Sequence, residues 1–230
     1  MADVEQFVRI LRSRLRDGAT LRRLAQKAAS YTDAQTFAKK AGEELFATLN
    51  RMCDVSQIPQ DELSKILTAM LRETYSEVSR VCRRVQANIN EVAGLDGLGV
   101  LEPEFNQERA GSIATAIADS SQGFSPEYIR NLIVNNTVSN VDESIRRNSS
   151  AHESMGLKVH IVRKYDHVGL HDGKEECTWC LDRAGEWTDY AEALADGAFE
   201  RHPGCGCLIT YEVGRTRTWQ NRAGGWQNLQ

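Results

Sequence analysis

Apolar residues recur every three or four positions through most of the first 155 residues, and a strict alternation replaces that spacing at 157–161. Period 3.6 marks a helix with one buried face, and period 2 marks a half-buried strand. Phe7, Ile10, Leu11 and Leu15 form a first stripe that stops at Asp17-Gly18. A second helix runs from Leu21 to about Ala29. A third begins after Thr32-Asp33 and carries Phe37, Ala41, Leu45 and Leu49. Pro59 and Asp61 open the longest helix, whose apolar set includes Ile66, Met70, Val78, Val81, Val85 and Ile89, with charge on the opposite face. So long and narrow a stripe calls for partner helices, and the Leu63–Val92 helix is expected to self-associate or to meet another protein in coiled-coil fashion.

Gly94-Leu95-Asp96-Gly97-Leu98-Gly99 breaks this helix and is the best boundary candidate. A short helix follows around Glu108–Asp119. Ser125-Pro126-Glu127 then reads as a capped start, with serine as the cap and proline at the first helical position. That helix carries Ile129, Leu132, Ile133, Val138, Val141 and Ile145 and fades near Met155-Gly156. Leu157, Val159 and Ile161 alternate with Lys158 and His160, which predicts a strand. After a polar loop and a short helix around Tyr190–Ala195, Leu208–Tyr211 reads as a closing strand. The fold class is therefore α+β, mainly α. A helical bundle or hairpin is expected over 1–99, a smaller α+β domain over 100–214, and a polar tail without periodicity over 215–230.

Composition narrows the function classes. The chain has 230 residues, of which 41% are hydrophobic, enough for a real core. The net charge of −4 means that nucleic-acid binding cannot be argued from total charge. Basic residues do cluster locally, with Arg9, Arg12, Arg14, Arg16, Arg22, Arg23 and Lys27 near the start and Arg215, Arg217 and Arg222 in the tail. No apolar run long enough for a membrane span occurs, and the N-terminal stretch lacks the apolar core of a secretory signal. A reducing cytoplasm is expected, where clustered cysteines read as metal ligands rather than disulfides. Cys53 and Cys82 stand alone in helical patterns and read as small buried hydrophobes.

The chemistry concentrates in the last third. Cys177-Thr178-Trp179-Cys180 is a C-x₂-C, and His202-Pro203-Gly204-Cys205-Gly206-Cys207 comes after it. Proline and glycine at the centre of the second motif suit a type II turn, which folds His202 back towards Cys205. Two turns each offer a ligand pair that one Zn²⁺ would join. Five donors compete for four places: the two-turn argument selects Cys177, Cys180, His202 and Cys205, and Cys207, two residues on along a strand, could replace Cys205. Three readings compete: a structural zinc, one per chain; a catalytic zinc with an open position beside Glu176 or Glu200; and redox-active thiols. The structural reading is favoured, because neither H-E-x-x-H nor a deaminase signature is present. Trp179 reads as a lid over the metal. His152, His160, His167 and His171 read as surface or structural residues, and Asp142 and Glu143 as solvent-facing or salt-bridged.

From Val141 to Trp219 the motifs run V-D-E-S-I-R-R-N-S-S, M-G-L-K-V-H-I-V-R-K, C-T-W-C-L-D-R-A-G-E-W, R-H-P-G-C-G-C-L-I-T-Y and G-R-T-R-T-W. This order resembles the C-terminal domain of phage minor head proteins of the Mu F-like, head-morphogenesis type, over roughly residues 105–220. The family's second turn reads His-Pro-Asn-Cys-Arg-Cys, where this chain has Gly204 and Gly206. The resemblance implies a structural virion protein rather than an enzyme. It would act in head assembly at the portal or inner capsid, first in the host cytoplasm and then in the particle. Portal or capsid proteins would be its partners, and it would contact packaged DNA or be ejected with it. The rival reading is a zinc-dependent nucleic-acid-processing enzyme such as a nuclease effector.

Overall fold

A computed structural model describes residues 3–52, 57–95, 97–120, 125–166, 177–214, 218–220 and 226–228. Six helices come first: α1 (Val4–Asp17), α2 (Ala19–Lys27), α3 (Tyr31–Met52), α4 (Gln60–Val92), α5 (Gln107–Ser120) and α6 (Pro126–Ser154). Then come β1 (Lys158–Lys164), α7 (Thr178–Leu181), β2 (Gly185–Trp187), α8 (Tyr190–Ala195) and β3 (Leu208–Gly214). The fold is α+β and mainly α, as the periodicities predict. Helix α3 starts earlier than expected because Ser30, not a later residue, is the cap. The Asp33 N–H donates to Ser30 Oγ at 3.2 Å and the Ser30 N–H to Asp33 Oδ2 at 3.0 Å, a reciprocal capping box. At α6 the predicted cap holds, with the Tyr128 N–H donating to Ser125 Oγ at 3.2 Å.

The three strands form an antiparallel sheet in the order β2-β1-β3, with Ile161 opposite both Trp187 and Tyr211. Strand β2 carries no sequence signal of its own, since three residues are too few to show a period. The tail contains a further ribbon, β4 (Thr218–Gln220) paired with β5 (Trp226–Asn228), where no periodicity predicts it. No helix among the described residues is long and apolar enough to cross a membrane.

Helix α4 is the axis of the helical part. Ile66, Met70, Val78, Val81 and Val85 are fully buried, and α1, α3, α5 and α6 of the same chain pack against this helix. The expectation that this stripe serves another chain is corrected accordingly: its partner helices are internal, and of the stripe only the end at Val92 is exposed. The N-terminal basic cluster is drawn into the same packing. Arg12 makes two bonds to Glu73, Arg16 bonds Glu77 at 2.6 Å and Arg14 bonds Glu44 at 2.6 Å, and Glu73 and Glu77 are buried. Three of the seven cations thus anchor α1 to α3 and α4.

One buried apolar cluster runs from Phe7 to Val213 and includes residues on both sides of the predicted boundary, Leu95 among them. Helices α3 and α6 make its closest approach: a Cβ on Gly42 would lie 2.9 Å from the Val134 Cα, so only glycine lets the two backbones meet. A polar network crosses this core. Tyr31 and Tyr211 hydroxyls both donate to Gln86 Oε1, at 2.7 and 2.8 Å, and Tyr211 Oη lies 3.3 Å from His152 Nδ1.

Burial lowers the pKa of His152 from its ordinary 6.5. The unfolded chain therefore takes up this proton first. Stability is full above the ordinary histidine range and falls as pH drops through about 6.5, with a slope that one proton limits to at most about 1.4 kcal/mol per pH unit. Urea unfolding between pH 7.5 and 5.5 is expected to show this slope and His152→Gln to flatten it; equal slopes would exclude the assignment.

Candidate metal centre

The two donor motifs fold locally as their residues dictate. Cys177 precedes the single turn of α7, and the Cys180 N–H donates to the Cys177 carbonyl at 3.0 Å, so positions three apart face one way. The Tyr165 hydroxyl, just past β1, accepts the Cys177 N–H at 2.9 Å and fixes where this turn begins. In the second motif the Cys205 N–H donates to the His202 carbonyl at 3.0 Å, and Gly204 has φ of 84°, the left-handed value that a type II turn requires at that position. Cys207 lies one residue before β3.

The fold brings all five donors together as two groups that share Cys180. Cys177, Cys180 and His202 lie within 4.8 Å of one another, and so do Cys180, Cys205 and Cys207. Cys180 Sγ is 3.0 Å from His202 Nε2 and 3.7 Å from Cys205 Sγ, and Cys177 Sγ is 3.3 Å from His202 Nε2. A tetrahedral ion with bonds of about 2.3 Å to sulfur and 2.0 Å to nitrogen separates its ligand atoms by about 3.5–3.8 Å. Each group of three thus offers donor atoms at spacings close to those that a metal ion's ligands take. His202 is also oriented for it: its Nδ1 lies 2.7 Å from the Pro203 carbonyl, so Nδ1 carries the proton and Nε2 presents its lone pair to the two sulfurs. Trp179 sits edge-on against the imidazole at 4.9 Å, with the Arg183 guanidinium 4.0 Å from its ring centre, in keeping with a lid.

Charged groups behind the donors were not apparent as site residues from the sequence. Arg163, on the inward face of β1, is 2% exposed. Its Nη1 donates to the carbonyls of Gly197, Ala198 and Glu200, and its Nη2 lies 3.7 Å from Cys205 Sγ. The signal was present in the alternation, since 159, 161 and 163 share one face of the strand. Arg201 Nη1 is also 3.7 Å from Cys205 Sγ, and this guanidinium grips Asp142 of α6 through Nε and Nη2. Gln35 of α3 extends the chain: its Nε2 donates to Asp142 and to the Ile209 carbonyl, and its Oε1 accepts the Ile209 N–H. The centre is thereby tied to α3, α6 and β3. Asp142 is salt-bridged, as expected, but fully inside the protein. Glu143 is the more accessible acid and pairs with Arg146 and Arg147.

These neighbours differentiate the thiols. A hydrogen bond from Cys207, with Arg201 and Arg163 adding to it against burial, brings the Cys205 thiol down to about 4. The same bond, together with burial, raises Cys207. Burial and the Cys205 charge push Cys180 up to about 12. Burial lifts the Asp142 carboxyl, and the Arg201 guanidinium opposes that lift. The hydrogen bond between Cys205 and Cys207 thus drives the two thiols apart, Cys205 down and Cys207 up.

The remaining sequence candidates fall elsewhere. Cys82 is buried in α4, where desolvation raises its thiol to about 12, as suits an inert hydrophobe. His152 belongs to the core network and His160 bonds Glu186 at 3.1 Å. Cys53, His167, His171 and Glu176 lie outside the described residues. Glu200 is held by Arg183 at 3.1 Å. No known protein family, curated protein or solved structure matches the chain.

Proposed function

We propose that this chain is a structural protein in which one Zn²⁺ fastens the two cysteine turns to the sheet, and that it serves as a minor head component of a phage particle. The observation that carries the structural reading is the donor surplus. Five soft side chains gather in two groups of three that share Cys180, enough protein donors to complete a tetrahedron without recruiting a water or a substrate. Thiolates with an imidazole suit zinc among the common divalent ions. Of the two carboxylates considered as a general base, Glu200 makes its ion pair with Arg183, which weighs against the zinc-dependent nuclease reading.

The virion role rests on the resemblance of the ordered motifs over 141–219 to the head-morphogenesis proteins. In that role the chain meets portal or capsid proteins during head assembly in the host cytoplasm and stays in the particle. Contact with packaged DNA would fall to the exposed Arg9, Arg22, Arg23 and Lys27 of α1 and α2, which lie outside the ion pairs that anchor α1. Mass spectrometry of gradient-purified particles from cells that encode the chain is expected to detect it at low copy number beside the portal protein. Its absence from particles that contain portal and capsid proteins would overturn the virion role. Metal-dependent DNA cleavage by the purified chain would replace that role with the nuclease reading.

A further inference from the structure

A cavity of about 520 Å³ opens between the start of α5, the middle of α6 and the chain around and after α8. Small-molecule sites commonly have volumes of this order. Part of its wall is cationic, with Arg109 from the first turn of α5 and Arg146 and Arg147 from α6. A single carboxylate serves the last two: Glu143 takes Arg146 at 2.5 Å and Arg147 at 3.1 Å. Arg147 makes that bond through Nε, and among the described residues its two terminal nitrogens and the whole Arg109 guanidinium have no partner. The other acids of the wall are Asp142, held by Arg201, Glu200, held by Arg183, and Glu104, which is exposed. With these partners included, five guanidinium groups meet four carboxylates, so the wall keeps one positive charge. The rest of the wall is apolar. Phe105 and Phe199 line it, together with Leu194, which is 47% exposed.

We infer that this cavity binds a nucleotide, its phosphate on Arg109 and Arg147 and its base against Phe105, Phe199 and Leu194. The two halves of the wall ask for the two halves of such a ligand. Guanidinium groups with unused N–H donors match phosphate oxygens in planar, bidentate fashion. Phenyl rings accept the flat face of any base, so the apolar half sets no sequence requirement. An inorganic anion would satisfy the cations and leave the rings bare, and an uncharged aromatic would do the reverse. None of the five cysteine and histidine donors lines this cavity. The site is therefore distinct from the candidate metal centre, and the inference rests neither on a bound metal nor on the virion role.

Calorimetric titration of the full chain with adenosine 5′-monophosphate, adenosine and inorganic phosphate tests this. The monophosphate is expected to bind at least about tenfold more tightly than either fragment, because only it engages both halves of the wall. Arg109→Gln removes one charged donor and is expected to weaken the monophosphate about tenfold. Phe105→Leu keeps an apolar wall without the ring and is expected to narrow the advantage of the monophosphate over inorganic phosphate. Lys65→Gln, which removes an exposed cation of α4 outside the cavity, is expected to change nothing. No detectable binding of the monophosphate overturns the inference. So does inorganic phosphate binding as tightly as the monophosphate, or Arg109→Gln binding like the wild type, or Lys65→Gln losing as much as Arg109→Gln. If circular dichroism shows Phe105→Leu to be unfolded, Arg109→Gln and the comparison of the three ligands decide. A 5′-phosphorylated oligodeoxynucleotide that displaces the monophosphate assigns the site to a strand end, and one that fails to displace it assigns the site to a free nucleotide.

Discussion

Replacing Cys180 with serine is expected to abolish metal binding and to lower Tm by about 10 °C, the equivalent of several kcal/mol for a chain of this length. Cys180 is the one donor common to both groups, so its loss dismantles each of them. The effect is large because the turns have little else to hold them. Cys180, Cys205 and Cys207 form a small buried cluster with Tyr165, Cys177 and Trp179, separate from the main core. Strands β1 and β3, by contrast, place Val159, Ile161, Ile209, Tyr211 and Val213 in the main core beside the helices. Limited proteolysis of Cys180→Ser should therefore open the 177–183 and 201–207 segments first and spare α1, α3, α4 and α6. A chelator should lower the Tm of the wild type towards that of the variant and leave the variant unchanged. A variant that contains zinc, or melts with the wild type, would remove the structural role.

Asp142→Ala is expected to cost about 3–5 kcal/mol in urea unfolding, as breaking one side of a buried ion pair typically does. Both side chains are 2% exposed, so water cannot solvate the guanidinium left behind. Arg201 would then keep only its 3.7 Å contact with Cys205 Sγ, which Arg163 shares, and Gln35 would lose one of its acceptors. The double variant Asp142→Leu with Arg201→Met removes both charges and is expected to be more stable than either single variant, because no ion remains uncompensated. Additive losses would show that the pair acts through something other than its charge. A single Asp142→Ala loss below about 1 kcal/mol would contradict the buried pair outright.

The local code of this chain is strong enough to be read without its fold. Three-four spacing located the helices because each presents one continuous apolar face, and Ser125-Pro126 marked the start of α6 because its cap closes within three residues. The His202–Cys205 turn was legible for the same reason: Pro203 and Gly204 are the residues that its dihedral angles demand, and Gly204 adopts φ of 84°. Five soft donors in two short motifs pointed to a candidate metal centre, since each motif is closed by backbone bonds within itself. Relations between residues far apart in the chain were hidden. Nothing in the α4 stripe states whether its cover comes from the same chain or another, and packing supplied α1, α3, α5 and α6. The role of Cys180 as hub, the lowered pKa of Cys205 and the buried pair of Arg201 with Asp142, 59 positions apart, arise only when β1, β3 and α6 close around the turns. Local bonding writes elements and turns into neighbouring residues, while the charge state of a buried site depends on partners that the fold alone brings within reach.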